Sequence, residues 1–343
     1  MPPPGAGEVR VRIDASGLCH TDVMVAAGEW WNDFPYLLGH EGVGRIESTG
    51  KGVPFSRVGE RVLLAWRGSC GNCRFCRSGR QAFCSDTPGP RSSPTDAAGV
   101  GLTPSLRLGT HARAIVVDAR QAIPVPTDLP GPSLCLIGCG VLTGYGAVVN
   151  AADVQPGRSV LVIGCGSVGL SIVQAARLRT DGPVIAVDLS VDKIETAVAL
   201  GATHAISATS SSEVAAAVHR ITGGLGVDYV FDAVATAATM DTAVQSCDLG
   251  GTCLVVGTPG RAVRWAFSPG EAFHRRLVIK SCNYGDVLPS RDVPAVVEFY
   301  RQGRFRLDDM VSSVIELAEA PDALDRLHSG GPGIRTVIQM PSD

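Results

Sequence analysis

Lysine is almost missing: of 30 basic residues only Lys51, Lys193 and Lys280 are lysine. That skew accompanies high-GC coding and carries no chemistry. An excess of charge of either sign is also missing, since 33 acidic residues leave a formal net charge of -3. No field of the whole chain therefore favours nucleic acid or an anionic membrane, and a small neutral or mildly anionic ligand fits better. A continuous apolar run of membrane length is lacking too. Residues 129–152 contain Pro130, Pro132 and five glycines, and 159–176 are broken at Gly164, Gly166 and Gly169, so neither makes one apolar helix. Met1 to Arg10 has no apolar core of a signal peptide. A disulfide framework is absent as well, because the eleven cysteines are odd in number and clustered in a chain too large to need one. These absences predict a soluble, cytoplasmic protein.

What is present is a chain of 343 residues, 45% of them hydrophobic, enough for two domains with substantial cores. From about Gln155 to Cys282, β-branched runs at 159–163, 183–187, 204–207, 227–233 and 252–256 alternate with helical patterns at 168–179, 191–200 and 213–222. Strands apolar throughout and separated by helices predict a parallel sheet covered on both faces, a doubly wound α/β domain. Earlier, short strand-like runs such as Val9 to Ile13, Gly42 to Ser48, Arg61 to Ala65 and Ala112 to Val117 are punctuated by glycine and proline, which suits a twisted antiparallel, barrel-like domain. Helices over 293–301 and 321–327 and a strand over 334–340 follow. The expected domains are 1–148, carrying a metal loop at 68–86, then a nucleotide domain at 149–285, then a return to the first domain at 286–343.

Gly164-Cys165-Gly166-Ser167-Val168-Gly169 follows a strand and opens a helix. Glycines there allow a tight turn and close backbone approach, and the helix N-terminus offers free N–H groups to a pyrophosphate. Asp188 ends the next strand, where its carboxylate suits the adenosine ribose and repels a 2'-phosphate, favouring NAD over NADP. Lys193 on the following helix is placed to reach the same ribose. Cys70-x2-Cys73-x2-Cys76-x7-Cys84 has the spacing of a closed, structural zinc site. An iron–sulfur cluster is the competing reading, with a tighter fourth spacing and a following proline; a visible absorption band distinguishes it. Cys19, His40 and Cys139, each in glycine-rich surroundings, would together make a Cys2His zinc site with one position open.

On these motifs, namely Gly17 to Asp22, Gly39 to Gly44, the four-cysteine loop, Gly138 to Gly146 and Gly164 to Gly169, the chain resembles the zinc-containing medium-chain alcohol dehydrogenases over nearly its whole length. Residues 138–144 and 280–286 are most similar to the thiol-dependent formaldehyde dehydrogenase branch, which includes mycothiol-dependent enzymes. The resemblance implies a GroES-like catalytic domain beside a Rossmann domain, two zinc ions per chain, and NAD. It implies Cys19, His40 and Cys139 as catalytic zinc ligands and Asp22 and Glu41 as outer carboxylates. Thr21 would be the proton-accepting hydroxyl. Thr143 would border the nicotinamide, His20 and Arg335 would bind the pyrophosphate, and Val256 would join the cofactor site. Trp30, Trp31 and Trp66 would line the substrate pocket. Two departures stand out: Met24 occupies a position where many relatives carry a relay histidine, and relatives usually have a further strand-bearing segment before Pro2 to Arg10, whose loss would leave a sheet edge unpaired.

The expected function is oxidation of primary alcohols, bulky or aromatic, to aldehydes with NAD. Alternatives are oxidation of a formaldehyde–thiol adduct such as S-hydroxymethylmycothiol, with the loop 88–103 and Arg91 and Arg107 accommodating the thiol, and a non-catalytic NAD-binding protein. A homodimer or homotetramer is expected, built through strands near 254–256 and 277–281.

Overall fold

The computed structural model describes residues 3–29, 34–91, 93–207 and 210–341. The chain divides into two compact units, one of 1–139, 288–302 and 306–343, the other of 140–287 with 303–305.

In the first unit the strands are β1 (Glu8–Gly17), β2 (Tyr36–Leu37), β3 (Glu41–Thr49), β4 (Arg61–Leu64), β5 (Thr103–Pro104), β6 (Ala114–Asp118) and β7 (Ala122–Pro124). The second unit contributes β8 (Val160–Ile163), β9 (Val184–Val187), β10 (His204–Ile206), β11 (Val227–Asp232), β12 (Cys247–Val255) and β13 (Val278–Ser281), and the chain returns to the first with β14 (Val311–Ile315) and β15 (Arg335–Gln339).

β1 shows why this unit folds. Val9, Val11 and Ile13 alternate with Arg10, Arg12 and Asp14, so one face is apolar, and all three apolar side chains are at most 1% exposed. Each such burial contributes roughly 1.5–3 kcal/mol relative to exposure. The sheet runs β14-β15-β1-β3-β4-β7, with β6 also on β1. All its pairs are antiparallel except β14 with β15. β1 has no free edge: β3 covers one side, while β6 covers 8–12 and β15 covers 15–17 on the other. The unpaired edge expected from the sequence is therefore not found at β1.

The second unit is a six-stranded sheet in the order β10-β9-β8-β11-β12-β13, parallel throughout. From β8 the chain winds outward through β9 to β10, then crosses to β11 on the other side of β8. That reversal makes a crevice at the carboxyl ends of β8 and β11, where such sheets bind ligands. The unit begins at Gly140 and not in the polar segment near 150, because the helix Gly140–Gly146 packs on the helix Ser167–Arg179. A Cβ on Gly144 would lie 2.5 Å from Ser171 and 2.6 Å from the Val168 carbonyl, so only glycine allows that approach. Among the described residues no single helix is long and apolar enough to cross a membrane.

Asp228, near the start of β11, accepts hydrogen bonds from the Ser159 N–H and hydroxyl at 2.8 and 2.7 Å and from Arg158 at 2.8 Å. Burial raises its pKa, but these donors and the Arg158 charge outweigh burial and hold it below the usual carboxylate value. The folded carboxyl thus titrates below the unfolded one, so its contribution is present above about pH 4 and is lost as the pH falls through the lowered folded value. Thermal melts of Asp228→Asn should fall below wild type at pH 7 and converge with it in acid; a gap unchanged by pH would refute this linkage.

Candidate metal and nucleotide sites

The antiparallel pairing of β1 with β3 sets Gly17 opposite Glu41. A Cβ on Gly17 would sit 2.1 Å from a Glu41 carboxylate oxygen, so the missing side chain is the space the carboxylate fills. Cys19 follows β1 and caps the helix His20–Ala26. His40 immediately precedes β3, after Gly39 at φ +92°, where a Cβ would collide with His111 and Thr110. Gly138 packs its segment onto the Leu64 carbonyl and the Glu41 backbone, delivering Cys139. One donor atom from each of Cys19, His40, Glu41 and Cys139 lies within 4.8 Å of the others.

The two acidic residues take different places. Asp22, fully buried, accepts from the N–H groups of Cys19 and Gly39, each at 3.0 Å, and from His40 Nδ1 at 3.1 Å. It fixes the imidazole and directs Nε2, buried and without a hydrogen-bond partner, toward the donor set. Burial pushes the ring's pKa down, but Asp22 and Cys19 raise it well above the usual value. Glu41, implied by the resemblance to be an outer carboxylate, has a carboxylate oxygen within 4.8 Å of the other donor atoms. Both its oxygens lack hydrogen-bond partners, and burial, partly opposed by Arg335, lifts its pKa to about 7. The Cys139 thiol's hydrogen bond, helped by the Arg335 charge and opposed by burial, holds Cys19 well below the ordinary thiol value; the same hydrogen bond and burial, opposed by Arg335, hold Cys139 well above it. Two sulfurs sharing a proton, an orphaned imidazole nitrogen and a buried carboxylate that is ion-paired to Arg335 but accepts no hydrogen bond fit a divalent cation, which would let both sulfurs ionise.

Cys70, Cys73, Cys76 and Cys84 likewise have sulfurs within 4.8 Å of one another. Cys70 to Cys76 and Cys73 to Cys84 are each 3.9 Å apart, close to the roughly 3.8 Å edge of a tetrahedron with zinc–sulfur bonds of about 2.3 Å. Backbone N–H groups of Cys70, Asn72, Cys73 and Cys76 point at these sulfurs at 3.3–3.5 Å. The Cys76 and Ser85 amides above all bring the Cys73 thiol down to about 5, while burial pushes the Cys76 thiol up to about 12, so the amides prepare only part of the loop to hold thiolates.

In the second unit, Gly164 has φ +90°, and a Cβ there would meet Val234 at 2.5 Å. A Cβ on Gly169 would lie 1.7 Å from the Gly164 carbonyl oxygen: this glycine lets the helix Ser167–Arg179 seat on the turn. A Cβ on Gly166 would meet no protein atom within 4 Å, leaving room beside the helix N-terminus that a pyrophosphate can fill. The Ser167 hydroxyl is buried there without a partner, and Val168 is half-buried. Asp188, just past β9, accepts from Cys165 N–H at 2.7 Å and Ser190 N–H at 2.9 Å, which ties it to the glycine turn; Lys193 lies in the first turn of the next helix. Val256 is buried just past β12, its N–H bonded to the Asp232 carbonyl, and Thr143 is 8% exposed.

The other expected residues are placed as follows. His20 is exposed and Thr21 half-buried on the helix His20–Ala26, with Met24 buried on the same helix. Arg335 on β15 is buried; it donates to the Leu18 carbonyl at 2.6 Å and lies 3.3 Å from Glu41, so it faces the metal donors. Trp66 packs against the apolar core of the first unit. Trp30 and Trp31 lie outside the described residues. Sequence reasoning missed Gly17 as the seat of Glu41, and His111, whose ring is 3.4 Å from the Gly17 carbonyl; the only signal was the glycine itself.

The fold and both sites define a metal-dependent nucleotide dehydrogenase. The profile of the alcohol dehydrogenase GroES-like domain matches residues 5–127, and that of the zinc-binding dehydrogenase matches 167–302. A Schizosaccharomyces pombe protein described as a probable S-(hydroxymethyl)glutathione dehydrogenase is 35% identical over 98% of this chain and 91% of its own. Two solved structures are similar: an alcohol dehydrogenase zinc-binding domain protein from Burkholderia ambifaria has a TM-score of 0.91 and 33% identity over 100% of this chain and 94% of that one. Benzyl alcohol dehydrogenase from Acinetobacter calcoaceticus has 0.89 and 30% over 98% and 93%. The chain belongs to the zinc-containing alcohol dehydrogenase family. It is an NAD-dependent oxidoreductase with zinc and NAD as cofactors, and the thiol-linked relatives are of the glutathione type.

The glycine geometry separates two variants. Gly166→Ala should leave the melting temperature near wild type yet weaken NADH binding at least about tenfold, or about 1.4 kcal/mol, because the added methyl meets only ligand. Gly169→Ala should lower the melting temperature by several degrees, the overpacking of a tight contact costing about 1–3 kcal/mol. NADH fluorescence titration alongside thermal melts checks both; equal effects from the two substitutions would contradict the reading.

Proposed function

We propose that the enzyme oxidises bulky or aromatic primary alcohols to aldehydes, and reduces the aldehydes, at the Cys19, His40 and Cys139 site. The observation that carries the reading is the buried donor set with its one unpartnered imidazole nitrogen. When bound, zinc supplies Lewis-acid acidification of the alcohol and NAD takes up the hydride. The chain's own residues do the rest. Asp22 holds the tautomer of His40, and Arg335 balances the charge of Glu41. The Thr21 hydroxyl accepts the alcohol proton and passes it through the ribose to water or to another base, since Met24 cannot carry one. Thr143 and Val256 border the nicotinamide, His20 and Arg335 bind the pyrophosphate, and Asp188 with Lys193 binds the ribose. Trp66 supplies apolar surface to the substrate pocket.

A second reading has one specific support. The first unit has a cavity lined by Arg91 and Arg107 together with Asp86 and the ion pair of Arg120 with Asp118, where the two arginines without that pairing can meet a carboxylate of a peptide-like thiol, and the Schizosaccharomyces pombe relative carries such an activity in its name. Under that reading the substrate is the thiol adduct of formaldehyde.

For assembly we propose a homo-oligomer of a cytoplasmic protein. β13 is an edge strand of the parallel sheet, with Val278 48% and Ile279 37% exposed, and such an edge suits pairing with a second copy. Residues 254–256 are unsuited to that role: Leu254 is 1% exposed and β12 already pairs on both sides. Sedimentation equilibrium should return at least twice the chain mass; a monomer would contradict the assembly.

The function is tested by zinc analysis and NAD reduction for wild type and Cys139→Ala. Wild type should hold two zincs and oxidise benzyl-type alcohols without added thiol, and the variant should keep about one zinc and lose activity. Turnover only of formaldehyde with glutathione or mycothiol would favour the second reading. One zinc and no turnover on any substrate would overturn both.

A further inference from the structure

Six of the eleven cysteines belong to the two metal donor sets. Two others meet in the nucleotide unit, where the dehydrogenase reaction leaves them unused. Cys247 opens β12 and Cys253 lies six residues on. The register between β11 and β12 slips between Val227 and Tyr229, so 248–251 bulge out of the sheet and Gly250 turns at φ +76°. The bulge folds the two sulfurs together at 3.3 Å, closer than either measured sulfur pair in the four-cysteine loop. Gly251 keeps the space open, because a Cβ there would lie 2.9 Å from Cys247 Sγ.

Both cysteines are 1% exposed, which excludes bulky reagents, but Cys247 forms part of the wall of a cavity shared with His219, Leu249 and Arg275. That cavity is the approach a small oxidant such as peroxide would take to the pair. The Arg275 guanidinium donates to the Cys247 carbonyl. The Cys247 thiol's hydrogen bond, foremost, and the Arg275 charge favour the thiolate of Cys253 and outweigh its burial, and a thiolate is the reactive form.

We infer that Cys247 and Cys253 form a peroxide-oxidisable dithiol that closes to a reversible disulfide. One thiolate attacks a peroxide oxygen; the O–O bond breaks and hydroxide leaves, giving a sulfenic acid. The neighbouring thiol attacks that sulfur, the S–O bond breaks, and the oxygen departs as water. Two thiols and one peroxide give one disulfide and two waters, the peroxide taking up two electrons. The sulfurs must close by roughly 1 Å to bonding distance, a movement that side-chain rotation on the bulge can supply.

The test treats the zinc-loaded enzyme with hydrogen peroxide, blocks remaining thiols with N-ethylmaleimide under denaturing conditions, and digests with trypsin. The peptide Ile221 to Arg261 contains these two cysteines and no other. It should appear unalkylated and two hydrogens lighter at peroxide doses that leave both zincs bound, and dithiothreitol should restore two alkylatable thiols. Cys247→Ser should abolish the disulfide and leave Cys253 as a sulfenic or sulfinic acid. Two alkylated cysteines in the treated wild-type peptide, or a sulfinic acid without a disulfide, would overturn the inference. The wild-type mass decides the matter even if the variant does not fold.

Discussion

The catalytic half of the molecule depends on one pairing, the antiparallel register that sets Gly17 of β1 opposite Glu41 of β3. Antiparallel pairing brings the exit of one strand beside the entrance of the other. Cys19, just beyond β1, therefore meets His40 and Glu41 at the start of β3. β15 lies on the other flank of β1, with Val337 opposite Gly17, which brings Arg335 to the Leu18 carbonyl and to Glu41. A slip of one residue would turn every side chain of β1 to the opposite face, burying Arg10 and Arg12 and removing the seat of the Glu41 carboxylate. The hydrophobic alternation that stabilises the sheet and the geometry of the donor set are thus one constraint.

The two metal sites solve different problems. The four-cysteine loop contains only the one-turn helix Arg74–Arg77 and a short 3-10 turn at Gln81–Phe83. Its sulfurs are gathered by backbone amides of the loop itself, and four thiolates close the coordination sphere, so the ion there contributes folding free energy. The Cys19 site is assembled from separate parts of a packed sheet, and its ligands are oriented by a fully buried Asp22. Rigid supports of this kind leave coordination to be shared with a substrate.

Much of this was legible in the sequence because it lies in local chemistry. Short apolar runs alternating with helical patterns announced the parallel sheet, the four-cysteine spacing announced its site, and the glycine turn with Asp188 announced the nucleotide end of the second unit. What stayed hidden depends on tertiary register. The sequence does not distinguish Glu41 as a donor from Glu41 as an outer carboxylate, since only the pairing with Gly17 decides where the carboxylate goes. Arg335 is likewise a lone arginine on a terminal strand until β15 is laid beside β1. Trp66 reads as a pocket residue from resemblance alone, and no pattern in the sequence shows that it also packs on the core. The approach of Cys247 to Cys253 follows from a bulge that no periodicity signals.

The account rests on the claim that Cys19, His40 and Cys139, with Glu41 beside them, form a metal site distinct in chemistry from the four-cysteine loop. X-ray absorption at the zinc edge on the purified enzyme tests it most directly. Two zincs per chain should give an average of about three sulfur ligands per zinc at about 2.3 Å, with nitrogen and oxygen ligands near 2.0–2.2 Å. An all-sulfur spectrum with one zinc per chain would contradict the account.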